Sequence, residues 1–368
     1  MRVAIVQDWL TVNGGAEKVI KEMIGYFPEV DVFALIDFLN DADRQELLKG
    51  KKAKTSFIQN LPFAKTQYRN YLPLFPTAIE SLDLSSYDLI VSSSYAVAKG
   101  IRKGAHQIHI CYCHSPIRYA WDLEEEYLKG MNPIKKLLAK GILAYIRNWD
   151  LNTLDRVDLF LANSKYIAER IKRLYNREAL VLYPPVNIEK FVGLEKKSDY
   201  YFTSARLVAY KRVDLIVKVF NELPHLKLIV AGDGPELEKL KSMAKPNIIF
   251  ADYLPQADLI KYMQEAKAFI LAAHEDFGIT SIEAQSCHTP VIALKKGGYL
   301  ETVIEGKTGM FFAEQSVSCL KEVIVNFEKS KKIYEAYDFE THVNKFSTKQ
   351  FLLGFDKIIK SKIGSKTL

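Results

Sequence analysis

The chain has 368 residues, 48% of them hydrophobic and 26% charged, an ordinary globular composition long enough for two domains. No apolar run reaches the ~18 residues of a membrane-spanning helix, and four unevenly spaced cysteines make no disulfide framework. The formal net charge of +7 is spread over both halves, with 26 Lys+Arg against 22 Asp+Glu in residues 1–190 and 25 against 22 in the remainder, so the basic stripe of a nucleic-acid partner is missing.

The start, MRVAIVQDWL, has no signal-peptide architecture, and with the unpaired cysteines it predicts a cytoplasmic protein. Arg2 to Val6 predicts a first strand, Asn13-Gly14-Gly15 a loop and Ala16 to Tyr26 a helix. This β-loop-α start lacks G-x-G-x-x-G, which argues against a dinucleotide fingerprint and hence a dehydrogenase. Strand-like runs recur at Val30 to Leu35, Leu89 to Ser92, Ile108 to Cys113 and Leu159 to Ala162, with helical patterns between several of them. Pro133 to Trp149 reads as a helix with Lys or Arg at 135, 136, 140 and 147 and apolar residues at 134, 137, 138, 142, 145, 146 and 149. That pattern fits an interfacial helix on a membrane surface, and equally a core-facing helix with a solvated edge.

Val181 to Ser198 carries a double proline and predicts an interdomain crossing. A second βα series follows, with strands at Tyr200 to Ser204, Leu226 to Ala231, Ile248 to Phe250, Ala268 to Ala272, Val291 to Leu294 and Gly309 to Phe312. Strands alternating with helices mean doubly wound parallel sheets. The expected architecture is α/β, two Rossmann-like domains facing a cleft, at 1–185 and 186–345, with a terminal helical segment at 346–368.

Chemistry concentrates at the predicted carboxyl ends of strands, where open α/β sheets bind ligands. In the 274–304 segment, Glu275 and Glu283 stand with seven residues between them. Gly278 permits a tight turn. Thr280 is a plausible N-cap, and Glu283 three residues on completes a capping-box pattern. Such a helix start attracts anions. Phe277, Gly278, Ile279 and Thr280 would offer contacts to a ligand there. Val291-Ile292-Ala293 runs into the glycine turn Gly297-Gly298. Arg206 and Lys211 follow the strand Tyr200 to Ser204, and a fixed cation pair suits a leaving diphosphate. Gly14 and Gly15 lack side chains, so their N–H groups could approach phosphates. His114 ends the strand Ile108 to Cys113. Tyr253 and Leu254, following Asp252, would border a base. Cys111-Tyr112-Cys113-His114 could suggest zinc, but no second Cys/His pair has metal spacing, so the two cysteines are expected to be buried packing. No Asp-x-Asp motif precedes a strand end, and no metal or other cofactor is expected.

Several of these stretches, taken in order, resemble the retaining glycosyltransferases of family 4, which have the GT-B fold. They are Asn13-Gly14-Gly15-Ala16-Glu17, SYDLIVSSSYAVAKG at 86–100, CHSPIRYAWD at 113–122, NSKYIAERI at 163–171, YPPV at 183–186, SARLVAYKRVD at 204–214, AGDGPE at 231–236 and the E-x7-E segment. CHSPIRYAWD and EDFGITSIEAQSC are similar to the branch that includes mannosyltransferases of bacterial surface-polysaccharide assembly. The resemblance implies an acceptor-binding first domain, a nucleotide-sugar-binding second domain and a last helix, Lys349 to Ile363, that crosses back to the first. It implies that Arg206 and Lys211 hold the diphosphate and that His114 contacts the donor sugar and helps position the reacting centre, a role that need not be a general base's; with it, Glu275 is the candidate for the sugar hydroxyls and Glu283 for the ribose. The implied donor is GDP-mannose and the implied acceptor a lipid-linked glycan at the inner face of the membrane. A UDP-sugar transferase (glucosyl or N-acetylglucosaminyl), a nucleotide-sugar epimerase or hydrolase, and a catalytically idle binding module on the same fold stay open beside it.

Overall fold

The computed structural model describes residues 1–122, 124–128, 130–194, 196–330, 334 and 337–364. The chain divides into two compact units, one of residues 1–185 with 351–368, the other of residues 186–350. Both are doubly wound α/β units of the GT-B type, each built on one parallel sheet.

In the first unit the strands are β1 (Val3–Gln7), β2 (Val30–Ala34), β3 (Lys54–Thr55), β4 (Leu89–Ser94), β5 (Ile108–Cys113), β6 (Leu159–Ala162) and β7 (Ala179–Val181). They lie in the order β3-β2-β1-β4-β5-β6-β7, and every pairing is parallel. Helices cover both faces of such a sheet, so its central strands are buried on both sides and read as continuous apolar runs. All five residues of β1 and all six of β4 are buried. The last three residues of β4 are Ser92, Ser93 and Ser94, and polar groups buried at a strand's carboxyl end need partners there. The helix Thr348–Ile363 lays Phe351, Phe355, Ile359 and Ile363, one every four residues, into this unit's core. Phe355 packs edge-on against Tyr26 and Phe27, and the Tyr26 hydroxyl donates to Asp356 Oδ1 at 2.6 Å.

In the second unit the strands are β8 (Tyr201–Ser204), β9 (Leu228–Ala231), β10 (Ile248–Asp252), β11 (Ala268–Leu271), β12 (Val291–Leu294) and β13 (Gly309–Phe312). Their order is β10-β9-β8-β11-β12-β13, again all parallel. Two sequence readings change. Lys54–Thr55 and Ala179–Val181 are edge strands too short to show a pattern, and the second of them takes Val181 out of the expected crossing. Strand β10 runs on to Asp252, past a register shift at its end. Among the described residues no helix is long and apolar enough to cross a membrane.

The first unit contains a buried ion pair that ties several of its segments together. Lys99 and Asp150 are almost wholly enclosed, with Nζ 2.7 Å from Oδ1. Lys99 also donates to the Asp150 carbonyl at 2.8 Å and to Thr153 Oγ1 at 3.0 Å. Asp150 Oδ2 accepts from Trp121 Nε1 at 2.9 Å and the Tyr175 hydroxyl at 2.7 Å. These bonds join the turn after β4, the helix Pro133–Asn152, the helix Lys165–Tyr175 and the segment after β5. Burying two charges is costly, and removing one leaves the other unpaired. Lys99→Met is therefore expected to destabilise the protein by about 3–5 kcal/mol. A urea midpoint within error of wild type would contradict this.

Candidate active site

The order of the second sheet reverses between β8 and β11, so the loops after these two strands flank the crevice that such a reversal opens. Lys211 lies in the first loop, at the end of the turn Ala209–Lys211, and Glu275 lies in the second. Lys211 Nζ is in direct contact with Glu275 Oε1, and both side chains are partly open to solvent. Arg206, on the same loop as Lys211, is exposed to solvent.

Glycines shape these loops. Gly297 has φ +67, and a Cβ there would lie 2.2 Å from the Glu275 carbonyl oxygen; one on Gly298 would lie 2.3 Å from Phe277 Cα. Gly298 N–H donates to that same Glu275 carbonyl at 2.9 Å. The turn after β12 is thus pressed onto the backbone that carries Glu275, which only side-chain-free residues permit. Gly232 and Gly234 do the same beneath Arg206, where added Cβ atoms would lie 1.9 Å from the Ala205 carbonyl oxygen and 2.4 Å from that of Leu207. The sequence reading places the turn Gly297-Gly298 in the site segment and Gly232 and Gly234 within AGDGPE, without giving either pair this packing role.

The helix after Glu275 is Ile279–Ser286, with Gly278 as its N-cap at φ +85. Thr280 is therefore the second helical residue and not the cap, and Glu283 is the fifth, beyond capping-box reach. The capping reading is corrected on both. Ser281 takes a local role instead, its hydroxyl donating to the Gly278 carbonyl at 2.8 Å and meeting Thr302 Oγ1 at 2.7 Å. Glu283 is buried. Phe277 is buried edge-on against Phe346, and Ile279 is half-buried. Tyr253 is 77% exposed just past the end of β10, with Leu254 half-buried beside it. Asp252 has φ +51 and pairs with Lys241 at 2.8 Å.

In the first unit the reversal falls between β1 and β4. Asp8 follows β1, is fully buried, and accepts four backbone N–H groups from the loop after β4, those of Tyr95, Ala96, Val97 and Ala98, at 2.6–2.9 Å. Burial pushes its carboxyl up to about 6, against the pull of those four donors. Gly14 caps the helix Gly15–Tyr26 in extended conformation. A Cβ on Gly14 would lie 2.8 Å from Glu17 Oε2, so the Glu17 carboxylate folds back over the glycine turn. Glu17 is 3% exposed, accepts from Gln7 Nε2 at 3.3 Å and is raised by burial to about 7. Neither Asp8 nor Glu17 was singled out from sequence.

His114 follows β5, with its Nε2 2.8 Å from Ser93 Oγ and its ring edge-on to Tyr95 and Tyr112. Desolvation lowers it to about 3, so the imidazole is neutral. His109, also buried, is lowered to about 4 and meets Ser92 Oγ at 2.7 Å. Cys111 and Cys113 are buried in the core. Among the described residues no group of three or more His, Cys, Asp and Glu side chains could hold a metal ion.

Two family descriptions match the chain, "Glycosyltransferase Family 4" over residues 13–190 and "Glycosyl transferases group 1" over residues 186–340. Together they span both units. The first unit is thus similar to family 4 glycosyltransferases and the second to group 1 glycosyl transferases. An uncharacterized glycosyltransferase of Methanocaldococcus jannaschii is 26% identical over 211 residues, 55% of this chain and 59% of that protein. A GDP-mannose-dependent phosphatidylinositol monomannoside mannosyltransferase of Mycolicibacterium smegmatis is 33% identical over 122 residues, 28% of this chain and 32% of that protein. The matches thus span about a third to three fifths of these curated relatives. Two solved structures share the fold. Anabaena HepE in complex with UDP has a TM-score of 0.73 at 17% identity, covering 98% of this chain and 100% of that one. Sucrose-phosphate synthase from Thermosynechococcus elongatus has a TM-score of 0.77 at 16% identity, covering both chains fully.

Glu17 generates a pH prediction. Its folded value lies above its unfolded one, so the stability it contributes is present below about 4.5 and is lost as pH rises through about 7. Glu17→Gln cannot titrate. Its stability relative to wild type should therefore climb between those values, by roughly 3 kcal/mol in all, and then level off. Parallel melting curves across that range test this, and a constant difference would refute it.

Proposed function

We propose that this chain is a retaining glycosyltransferase that moves a hexosyl group from a nucleotide sugar to a glycan acceptor. The observation that carries the reading is the Lys211–Glu275 pair across the β8/β11 reversal, on the same loop as the exposed Arg206. Breaking the bond from sugar C1 to the diphosphate develops negative charge on the leaving group. Arg206 and Lys211 offset that charge as preorganised cations. Glu275 then accepts hydrogen bonds from sugar hydroxyls. Lys211 exchanges its carboxylate partner for a phosphate when the donor enters, so the pair holds both side chains in place until then. Glu283 and the exposed Tyr253 serve the nucleoside, the first at the ribose and the second at the base. Phe277, Gly278, Ile279 and Thr280 line the helix start beside the sugar, and His114, being neutral, orients a hydroxyl without carrying charge.

The second unit is the donor-binding half on this reading, and the first unit receives the acceptor. The donor is GDP-mannose, supported by the phrases CHSPIRYAWD and EDFGITSIEAQSC and by similarity to a GDP-mannose-dependent enzyme. The acceptor is a lipid-linked glycan of surface-polysaccharide assembly. No divalent cation is assigned to the diphosphate, since the two basic side chains take that role.

Calorimetric titration and turnover with GDP-mannose, UDP-glucose and UDP-N-acetylglucosamine test the donor. Transfer from GDP-mannose is expected, surviving excess EDTA. Transfer only from a UDP sugar would replace the donor, loss on chelation that magnesium restores would overturn the metal-free reading, and no transfer from any of them would sink the activity. Arg206→Ala should lower turnover ~10²–10³-fold with the fold intact. Glu275→Gln should cripple transfer yet hold or tighten binding of the free nucleoside diphosphate, because Lys211 loses the carboxylate that competes for it. Glu283→Gln should weaken nucleoside diphosphate and intact donor alike. Reversed outcomes for the two glutamates would exchange their roles.

A further inference from the structure

The helix Pro133–Asn152 is formed by strong local signals. Asn132 caps it, its side chain accepting from Lys135 N–H at 2.8 Å, and Pro133 stands at the first turn. Its second half is fixed by burial of Leu143, Ile146 and Asp150. Its first turns are not, since every residue from 131 to 138 is exposed. Ile134 is 74%, Leu137 73%, Leu138 64% and Tyr145 46% exposed. At 3.6 residues per turn these four fall within an arc of roughly 100°, nearly opposite Leu143, Ile146 and Asp150. Of the apolar positions read from sequence, Ile134, Leu137, Leu138 and Tyr145 thus face solvent while Ile146 faces the core, where Leu143 joins it.

An apolar face of this size on solvent calls for a partner. We infer that this face docks on an anionic membrane surface, with Ile134, Leu137, Leu138 and Tyr145 entering the headgroup boundary. Charge selects the partner. Lys135 and Lys140 lie on the two flanks of the stripe, roughly 110° to either side of its centre, and Lys136 lies behind it. Long lysine side chains reach past an apolar stripe to phosphate headgroups. The helix carries one acidic residue, Asp150, which is buried and paired with Lys99. Arg147 is taken by Glu124 at 2.9 Å. A second copy of the same face would set lysines against lysines, which disfavours self-association. The inference is independent of the donor and of the reaction.

Co-sedimentation with vesicles of phosphatidylcholine, with and without phosphatidylglycerol, tests it at low ionic strength on the full chain. Three proteins are compared, each checked by thermal melting: wild type, Leu137→Glu/Leu138→Glu and Lys135→Gln/Lys136→Gln/Lys140→Gln. The two leucines are exposed, so the fold should be kept. Wild type should pellet with the phosphatidylglycerol vesicles and the leucine variant should not. Each lysine is worth about a fivefold change in partition, so the lysine variant should fall by roughly a hundredfold on anionic vesicles and change little on neutral ones. Wild type left in the supernatant, or a leucine variant that pellets as well as wild type, overturns the proposal. So does a lipid-free dimer in sedimentation velocity that the leucine variant abolishes, which would make a second copy the occupant.

Discussion

The reversal of strand order in each sheet is the constraint on which the site's placement depends. At β1/β4 and at β8/β11 the connections leave toward opposite faces, so the carboxyl ends of those strands are left without a helix between them. Each reversal is bridged by a carboxylate, and the two bridges differ in kind. Asp8 is sealed in and receives four backbone N–H groups, so it fixes the loop after β4 permanently. Glu275 is partly open to solvent and is held by one flexible lysine. An anion arriving from solvent can displace the second bridge and cannot reach the first. The same reversal of strand order thus yields a rigid wall in one unit and an exchangeable contact in the other.

Charge is divided in the same way. The first unit's polar groups near its reversal are serines and a histidine kept neutral by burial, with two acids whose burial favours their protonated forms. The second unit places an exposed arginine and a solvent-accessible lysine on one loop. A leaving diphosphate needs fixed cations, whereas an incoming hydroxyl needs oriented neutral partners. The proposed donor half and acceptor half would each draw on this sorting of charge.

The central strands were legible because burial on both faces writes them as largely apolar runs; Ile108–Cys113, Leu159–Ala162 and Val291–Leu294 coincide with their predicted limits. Edge strands of two and three residues carry no such run, and Lys54–Thr55 and Ala179–Val181 went unread. At residue 280 a local pattern misled. Thr280 and Glu283 match a capping box, but the positive φ of Gly278 starts the helix earlier, where the Tyr299 ring crowds the turn. Glu17 shows the converse. A glutamate in a first helical turn looks like a solvated complement to the helix dipole, and only the packing of β1 and the glycine turn around it reveals a buried acid.

The buried Lys99–Asp150 pair and the exposed start of the helix Pro133–Asn152 are two ends of one arrangement. A helix whose apolar face is wholly committed to the core has none left to offer elsewhere. Here the commitment is made by a short stretch, Leu143 to Asp150, and it is strengthened by an ion pair that also holds Trp121 and Tyr175. That anchoring frees the opposite face and the first turns from any structural duty. Exposed leucines on a well-capped, firmly anchored helix are free to make the membrane contact proposed above.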